Sequence, residues 1–202
     1  MANTYPAFEE IIEAQNKVIQ MQYQQWIHHD VFSLQFWLLL ILLLVPWFIW
    51  WKVVDKKRLF DILVYGLIIL TAATFLDELG TQLNLWEYKY DIEPLFPRMI
   101  PVNFTVMPVS YMLLYQYFRD WKSFIKAHIL LAVGFSFIAE PLMVWLDIYK
   151  LYHWQHFYSF PLYIILAASI RWLTLFLMRQ QIQAKEKTPG QGSQGDLGES
   201  PD

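Results

Sequence analysis

Three carboxylates stand out because of where they fall. Asp77 and Glu78 are adjacent at the close of an apolar stretch, "TAATFLDELG", and Glu140 interrupts another, "FIAEPLMVW", just before a proline. A carboxylate in or beside a hydrophobic membrane helix is costly to place, and that cost makes it a site candidate. Two such groups in one low-dielectric pocket compete for charge, which suits acid–base catalysis, cation binding or proton relay. Glu140, Glu78 and Asp77 are therefore the candidate catalytic residues. The competing reading leaves Asp77 and Glu78 solvated at a membrane interface, with Glu140 bonded to a tyrosine or paired with Arg98.

Asp61 and Arg171 form a second candidate pair. Both fall toward the opposite end of their hydrophobic blocks, Arg171 about fourteen residues into its own. Bundle-facing charges normally pair, so a structural ion pair between them is expected, with an arginine snorkelling to the headgroups as the alternative. Asn103 and Ser110 are seven apart in a semi-polar block and would share one helical stripe. That stripe either lines a cavity or holds helices together. Trp86 and Tyr88 belong either to an aromatic belt at headgroup level or to the lining of a pocket. His153 and His156 have ligand spacing, but two histidines are too few for a metal site.

The elements that must position these groups are membrane helices. Of 202 residues, 56% are hydrophobic and only 16% charged, below the quarter usual in soluble domains. The apolar residues cluster into five blocks, at about 31–51, 59–76, 101–118, 125–146 and 157–178. Each is long enough to cross a hydrocarbon core of roughly 30 Å, the third only just. The expectation is an all-α integral membrane bundle of five transmembrane helices over residues 31–180. An amphipathic segment would precede it at 1–30, and a disordered tail would follow at 181–202.

Lys52, Lys56, Lys57, Arg58, Arg119, Lys122, Lys126, Arg179, Lys185 and Lys187 fall on one side of that bundle. Lys17, Lys89, Arg98 and Lys150 fall on the other. Basic residues accumulate in cytoplasmic loops, which places the N-terminus outside and the C-terminus inside the plasma membrane.

An internal repeat runs through the same elements. "FLDELGTQLNLWEY" resembles "FIAEPLMVWLDIYK" if Phe75 is set against Phe137 and Glu78 against Glu140. One residue of slip then aligns Leu83–Glu87 with Leu146–Lys150. Helices two–three and four–five would be two related hairpins, of the kind that builds a membrane site at a repeat interface.

The net charge of −3 and the absence of a basic surface exclude a nucleic-acid partner, and the absence of cysteine excludes thiolate chemistry. No phosphate-binding loop, dinucleotide fingerprint or metalloprotease motif occurs, so no cofactor is expected. The expected partners are membrane lipids and a protein of the cell envelope.

"LWEYKYDIEPLFP", "MPVSYMLLYQYF", "FIAEPLMVWLDIY" and "YSFPLYI" resemble a family of small multi-span integral membrane proteins common in spore-forming bacteria. The resemblance covers about residues 59–178. It implies a plasma-membrane helical bundle and brings no agreed activity. A more distant likeness is to the membrane-embedded lycopene cyclases, although "AEP" stands here where those carry proline followed by paired acids. The functional expectation is an accessory membrane protein that binds a lipid or partner. The alternatives are a small enzyme acting on a lipid or isoprenoid through carboxylates, and a small proton- or cation-coupled permease.

Overall fold

The structure, a computed structural model, describes residues 6–95 and 98–186. Seven helices follow in order: α1 (Phe8–Gln25), α2 (Leu34–Val53), α3 (Leu59–Gln82), α4 (Met107–Tyr117), α5 (Trp121–Gly134), α6 (Glu140–Trp145) and α7 (His156–Glu186). A two-stranded antiparallel ribbon, β1 (Trp86–Tyr88) with β2 (Tyr149–Leu151), is the only sheet among the described residues.

The chain is an all-α, membrane-embedded bundle. Among the described residues, four stretches are long and apolar enough to cross a bilayer: Leu34–Val53, Lys56–Gln82, Trp121–Trp145 and His156–Ala184. No more than 28% of any of their apolar windows is buried. Most of this apolar surface therefore faces outward, as lipid permits and water does not.

The fifth expected span differs from the other four. Wide π-helical turns at Pro101–Val106 lead directly into α4, six residues and then eleven. It is short because it is interior. Pro101, Asn103, Thr105, Met107, Tyr111, Met112, Tyr115 and Gln116 are all buried along it. Its semi-polar composition follows: a segment packed against protein can carry polar groups that lipid-facing helices cannot. Gly66 of α3 lets this segment approach, since a Cβ there would run into Met112.

Helix ends follow local chemistry. The Ser33 hydroxyl accepts from the Phe36 amide at 3.1 Å, and the Asp120 carboxylate accepts from the Ser123 amide at 2.7 Å. Both are N-cap bonds that satisfy orphan donors. Pro46 lies within α2, where it removes one intrahelical bond. Nearby, Thr105 donates to the Leu43 carbonyl at 3.0 Å and accepts from Trp47 Nε1 at 3.0 Å. A neighbouring hydroxyl thus supports the backbone beside the proline.

α7 continues to Glu186, past the boundary expected at 181, and the rest of the expected tail, 187–202, lies outside the described residues. The amphipathic segment forms α1, in which no residue is buried. Trp26, just beyond it, donates through Nε1 to the Ile92 carbonyl at 3.1 Å.

Candidate functional site

The helix ends that carry the acids are built twice. At the end of α3, the amides of Leu83, Asn84 and Leu85 bond the carbonyls of Leu79, Thr81 and Gly80 at 3.1, 2.9 and 2.9 Å. Sixty-three residues later, Leu146, Asp147 and Ile148 bond Leu142, Val144 and Met143 at 2.9, 3.0 and 3.0 Å. Asn84 and Asp147 both take the left-handed conformation, with φ of 53° and 60°. This is a Schellman ending, and the side chains of Asn and Asp tolerate its left-handed residue better than most.

The ribbon obeys the same offset. Trp86 pairs with Leu151, Glu87 with Lys150 and Tyr88 with Tyr149, so exchanging the two halves leaves the pairing unchanged. The flanking bonds match as well: Lys89 donates to the Ile148 carbonyl at 2.9 Å and Tyr152 to the Leu85 carbonyl at 3.0 Å. A local two-fold axis therefore passes through the Glu87–Lys150 pair. The repeat expected from sequence is present at these helix ends, with one correction. No slip is needed, and the offset sets Asp77, not Glu78, against Glu140. Phe75 and Phe137 are not equivalents.

Asp77 and Glu140 both line one cavity of about 380 Å³. Most of its wall is apolar, with Leu38, Leu42, Val102, Met107, Phe135 and Leu162 among its residues, and no Lys or Arg contributes. Asp77 is 9% exposed and accepts three hydrogen bonds. Trp86 Nε1 and the Tyr88 hydroxyl reach Oδ1 at 2.9 and 2.6 Å, and Asn103 Nδ2 reaches Oδ2 at 2.6 Å. Glu140 accepts from the Tyr163 hydroxyl at 2.7 Å and meets His156 Nδ1 at 2.9 Å. The His156 side chain is 27% exposed, so Glu140 has a titratable neighbour that reaches solvent.

Trp86 is held where Asp77 needs it by the absence of a side chain. A Cβ on Gly80 would run into the Trp86 indole. Trp86 also packs edge-on against Trp154, ring centroids 5.1 Å apart, and Tyr88 stacks on Tyr149 at 5.3 Å. Burial pushes the Tyr88 and Tyr149 phenols above their ordinary value, and the nearby carboxylates add to that, Asp77 for Tyr88 and Glu140 then Asp77 for Tyr149. Both remain neutral hydroxyls, able to donate.

Asn103, Trp86 and Tyr88 line the cavity as expected, and Ser110 does not. The heptad stripe assumed a uniform α-helix, but the π turns at 101–106 place more residues in each turn and rotate Ser110 away. Glu78 also falls outside the cavity wall: its Oε1 accepts from Gln82 Nε2 at 2.9 Å. Consecutive helical residues point about 100° apart, so only one of the two adjacent acids can face inward.

The expected Asp61–Arg171 ion pair is not formed. Asp61 Oδ2 pairs with Arg58 at 2.7 Å, three residues earlier. Arg171 donates to the Phe118 carbonyl at 2.8 Å and to the Arg119 carbonyl, and lies over the Phe124 ring at 4.1 Å. Carbonyls at a helix end satisfied the guanidinium before a distant carboxylate could. The histidines diverge: His156 turns to Glu140, while His153 Nδ1 meets the Asn84 carbonyl at 3.1 Å. No cluster of potential metal ligands occurs among the described residues.

Sequence reasoning passed over Tyr149, Tyr163 and His156 as members of the site. For Tyr149 the signal was the repeat itself, since the correct register makes it the counterpart of Trp86; nothing comparable marks Tyr163 or His156. No family model matches the chain, nor does any curated protein or solved structure. Its function has to be read from the site.

Proposed function

We propose that the protein binds a neutral lipid or isoprenoid in this cavity and moves a proton to or from it, with Asp77 and Glu140 as the acid–base groups. The observation that carries this reading is that both carboxylates line one otherwise apolar cavity. An apolar wall selects an apolar ligand body. Two carboxylates and several aromatic rings, with no basic residue, favour positive charge developing on that ligand and disfavour an anion. His156 gives Glu140 a route for exchanging its proton with the outer aqueous phase. This supports the enzyme reading over an accessory role.

The permease reading requires a polar path from these acids to Asp61 and Arg171. Those two instead satisfy local partners at the other end. The side chains of Ile62, Tyr65, Ile69, Met112 and Phe124, all 1% exposed or less, pack the region around them. The distribution of basic residues supports a plasma-membrane orientation with the cavity in the outer leaflet and α1 on the outer surface.

The test is gentle purification followed by solvent extraction and mass spectrometry. A neutral lipid accompanies the wild type and is lost from Ala139→Phe, which fills the cavity from its wall. Absence of any neutral lipid from the wild type, or equal retention by Ala139→Phe, contradicts the reading.

A further inference from the structure

The two-fold repeat assigns each carboxylate a counterpart donor, and one of those donors is unused. In the first half, Trp86 donates to Asp77 at 2.9 Å. Its counterpart in the second half is Tyr149, whose carboxylate would be Glu140. Glu140 is already engaged by Tyr163 and His156. Among the aromatic donors lining the cavity, Tyr88 and Tyr163 also serve the carboxylates, and Trp154 Nε1 donates to the Ser159 hydroxyl at 2.9 Å. The Tyr149 hydroxyl alone makes no hydrogen bond among the described residues. Yet Tyr149 is 9% exposed and faces the cavity, and its ring is fixed by stacking on Tyr88.

A hydroxyl that opens onto a largely apolar cavity without a partner is costly there, and a bound ligand can remove that cost. We propose that Tyr149 recognises the ligand by donating a hydrogen bond to a neutral oxygen on an otherwise apolar lipid, seated on the wall shared with Glu140. This rests on the lipid-binding reading above and names its substrate class, an oxygenated neutral lipid. A phosphorylated lipid does not fit, because two carboxylates line the cavity and no basic residue does. A bare hydrocarbon would leave the phenol unsatisfied.

The experiment measures binding to the full-length protein in nanodiscs, following the change in intrinsic tryptophan fluorescence, to which Trp86 and Trp154 in the cavity wall contribute. The probes are geranylgeraniol, its methyl ether, its diphosphate, and the hydrocarbon of the same chain lacking oxygen. One neutral hydrogen bond predicts that the wild type binds the alcohol and the ether roughly three- to tenfold more tightly than the hydrocarbon. The diphosphate binds no better than the hydrocarbon. Tyr149→Phe binds alcohol, ether and hydrocarbon alike.

The ether separates the two directions of hydrogen bonding, because it can accept from Tyr149 but cannot donate to a carboxylate. An ether no better than the hydrocarbon on the wild type overturns the proposal even if Tyr149→Phe fails to fold. A preference for the alcohol that survives Tyr149→Phe overturns it, as does tightest binding of the diphosphate. Hydrocarbon that binds with no preference for oxygen removes the role of Tyr149 while leaving a lipid cavity. Failure of the hydrocarbon to bind at all overturns both readings.

Discussion

Glu87 and Lys150 face one another across the two-stranded ribbon, and the sixty-three residues between them also separate Asp77 from Glu140. The same interval relates two Schellman endings, two left-handed residues and two sets of ribbon bonds. A parallel repeat in a membrane protein has its axis along the membrane normal. Two acids related in this way lie at matching ends of their helices, and both line one cavity.

Gly80 is where the backbone yields to the site. Gly80→Ala should displace the Trp86 indole and break its bond to Asp77. Overpacking of this kind costs about 1–3 kcal/mol. Thermal unfolding in detergent should show the loss, and the emission of Trp86 should shift. An unchanged melting temperature would mean that Trp86 is not wedged against α3.

Asp77→Asn keeps the shape of the side chain and removes its charge. Trp86 can only donate to it, at 2.9 Å, and Asn103 donates at 2.6 Å through an amide nitrogen that also bonds the Arg98 carbonyl at 3.1 Å, a bond that flipping the amide would break. An amide presents one acceptor oxygen where the carboxylate presents two, so one donor loses its partner. The expected cost is about 1–3 kcal/mol. Glu78→Gln, on a side chain whose one oxygen accepts from Gln82 and whose other is buried with no partner to lose, should cost less than Asp77→Asn. Equal losses would contradict the assignment of the inward face to Asp77.

At the other end of the bundle, a double-mutant cycle separates the observed pairs from the expected one. Asp61 and Arg171 should add within about 0.5 kcal/mol, since they share no bond. Arg58 and Asp61 should couple by up to about 1 kcal/mol, a partly exposed pair. Arg171→Met alone should cost about 1–3 kcal/mol through the two carbonyls it leaves unpaired.

Asp91, in the connection after β1, gives a pH dependence. Burial pushes its carboxyl up to about 7, against the opposing pull of the Met99 amide, which it accepts at 3.2 Å, and of Arg98. The folded protein then holds a proton that the unfolded chain has released above the usual carboxylate value of 3.8. Stability should therefore fall as pH rises from about 4 to about 7, by at most about 1.4 kcal/mol per pH unit. Burial raises Asp30 as well, with the same sign. Unfolding curves across this range should slope less for Asp91→Asn than for the wild type; parallel curves would contradict the burial argument.

The long apolar helices and the acids near their ends could be read from composition and position, because lipid imposes both. The register of the repeat could not. Matching Phe75 to Phe137 scored hydrophobic identity, whereas the structure conserves backbone geometry, and "LNLWE" and "LDIYK" share that geometry with little identity. Ser110 was misplaced because π turns carry no clear sequence signal and alter every position after them. Asp61 was assigned a distant partner while Arg58, three residues away, was nearer on the same stretch of chain. Nothing in the sequence sets Tyr149 apart from the other aromatics at helix ends; only the two-fold shows that its counterpart Trp86 bonds an acid.

The central claim is that Asp77 and Glu140 move a proton to or from a lipid held between them. Solvent exchange tests it most directly. Purified protein with its co-purifying lipid is incubated in deuterated buffer, and the extracted lipid is weighed by mass spectrometry. The account predicts deuterium at carbon positions in lipid from the wild type. It predicts bound but unlabelled lipid from Asp77→Asn and Glu140→Gln. Labelling that persists undiminished in both variants, or lipid from the wild type that takes up none, would contradict it.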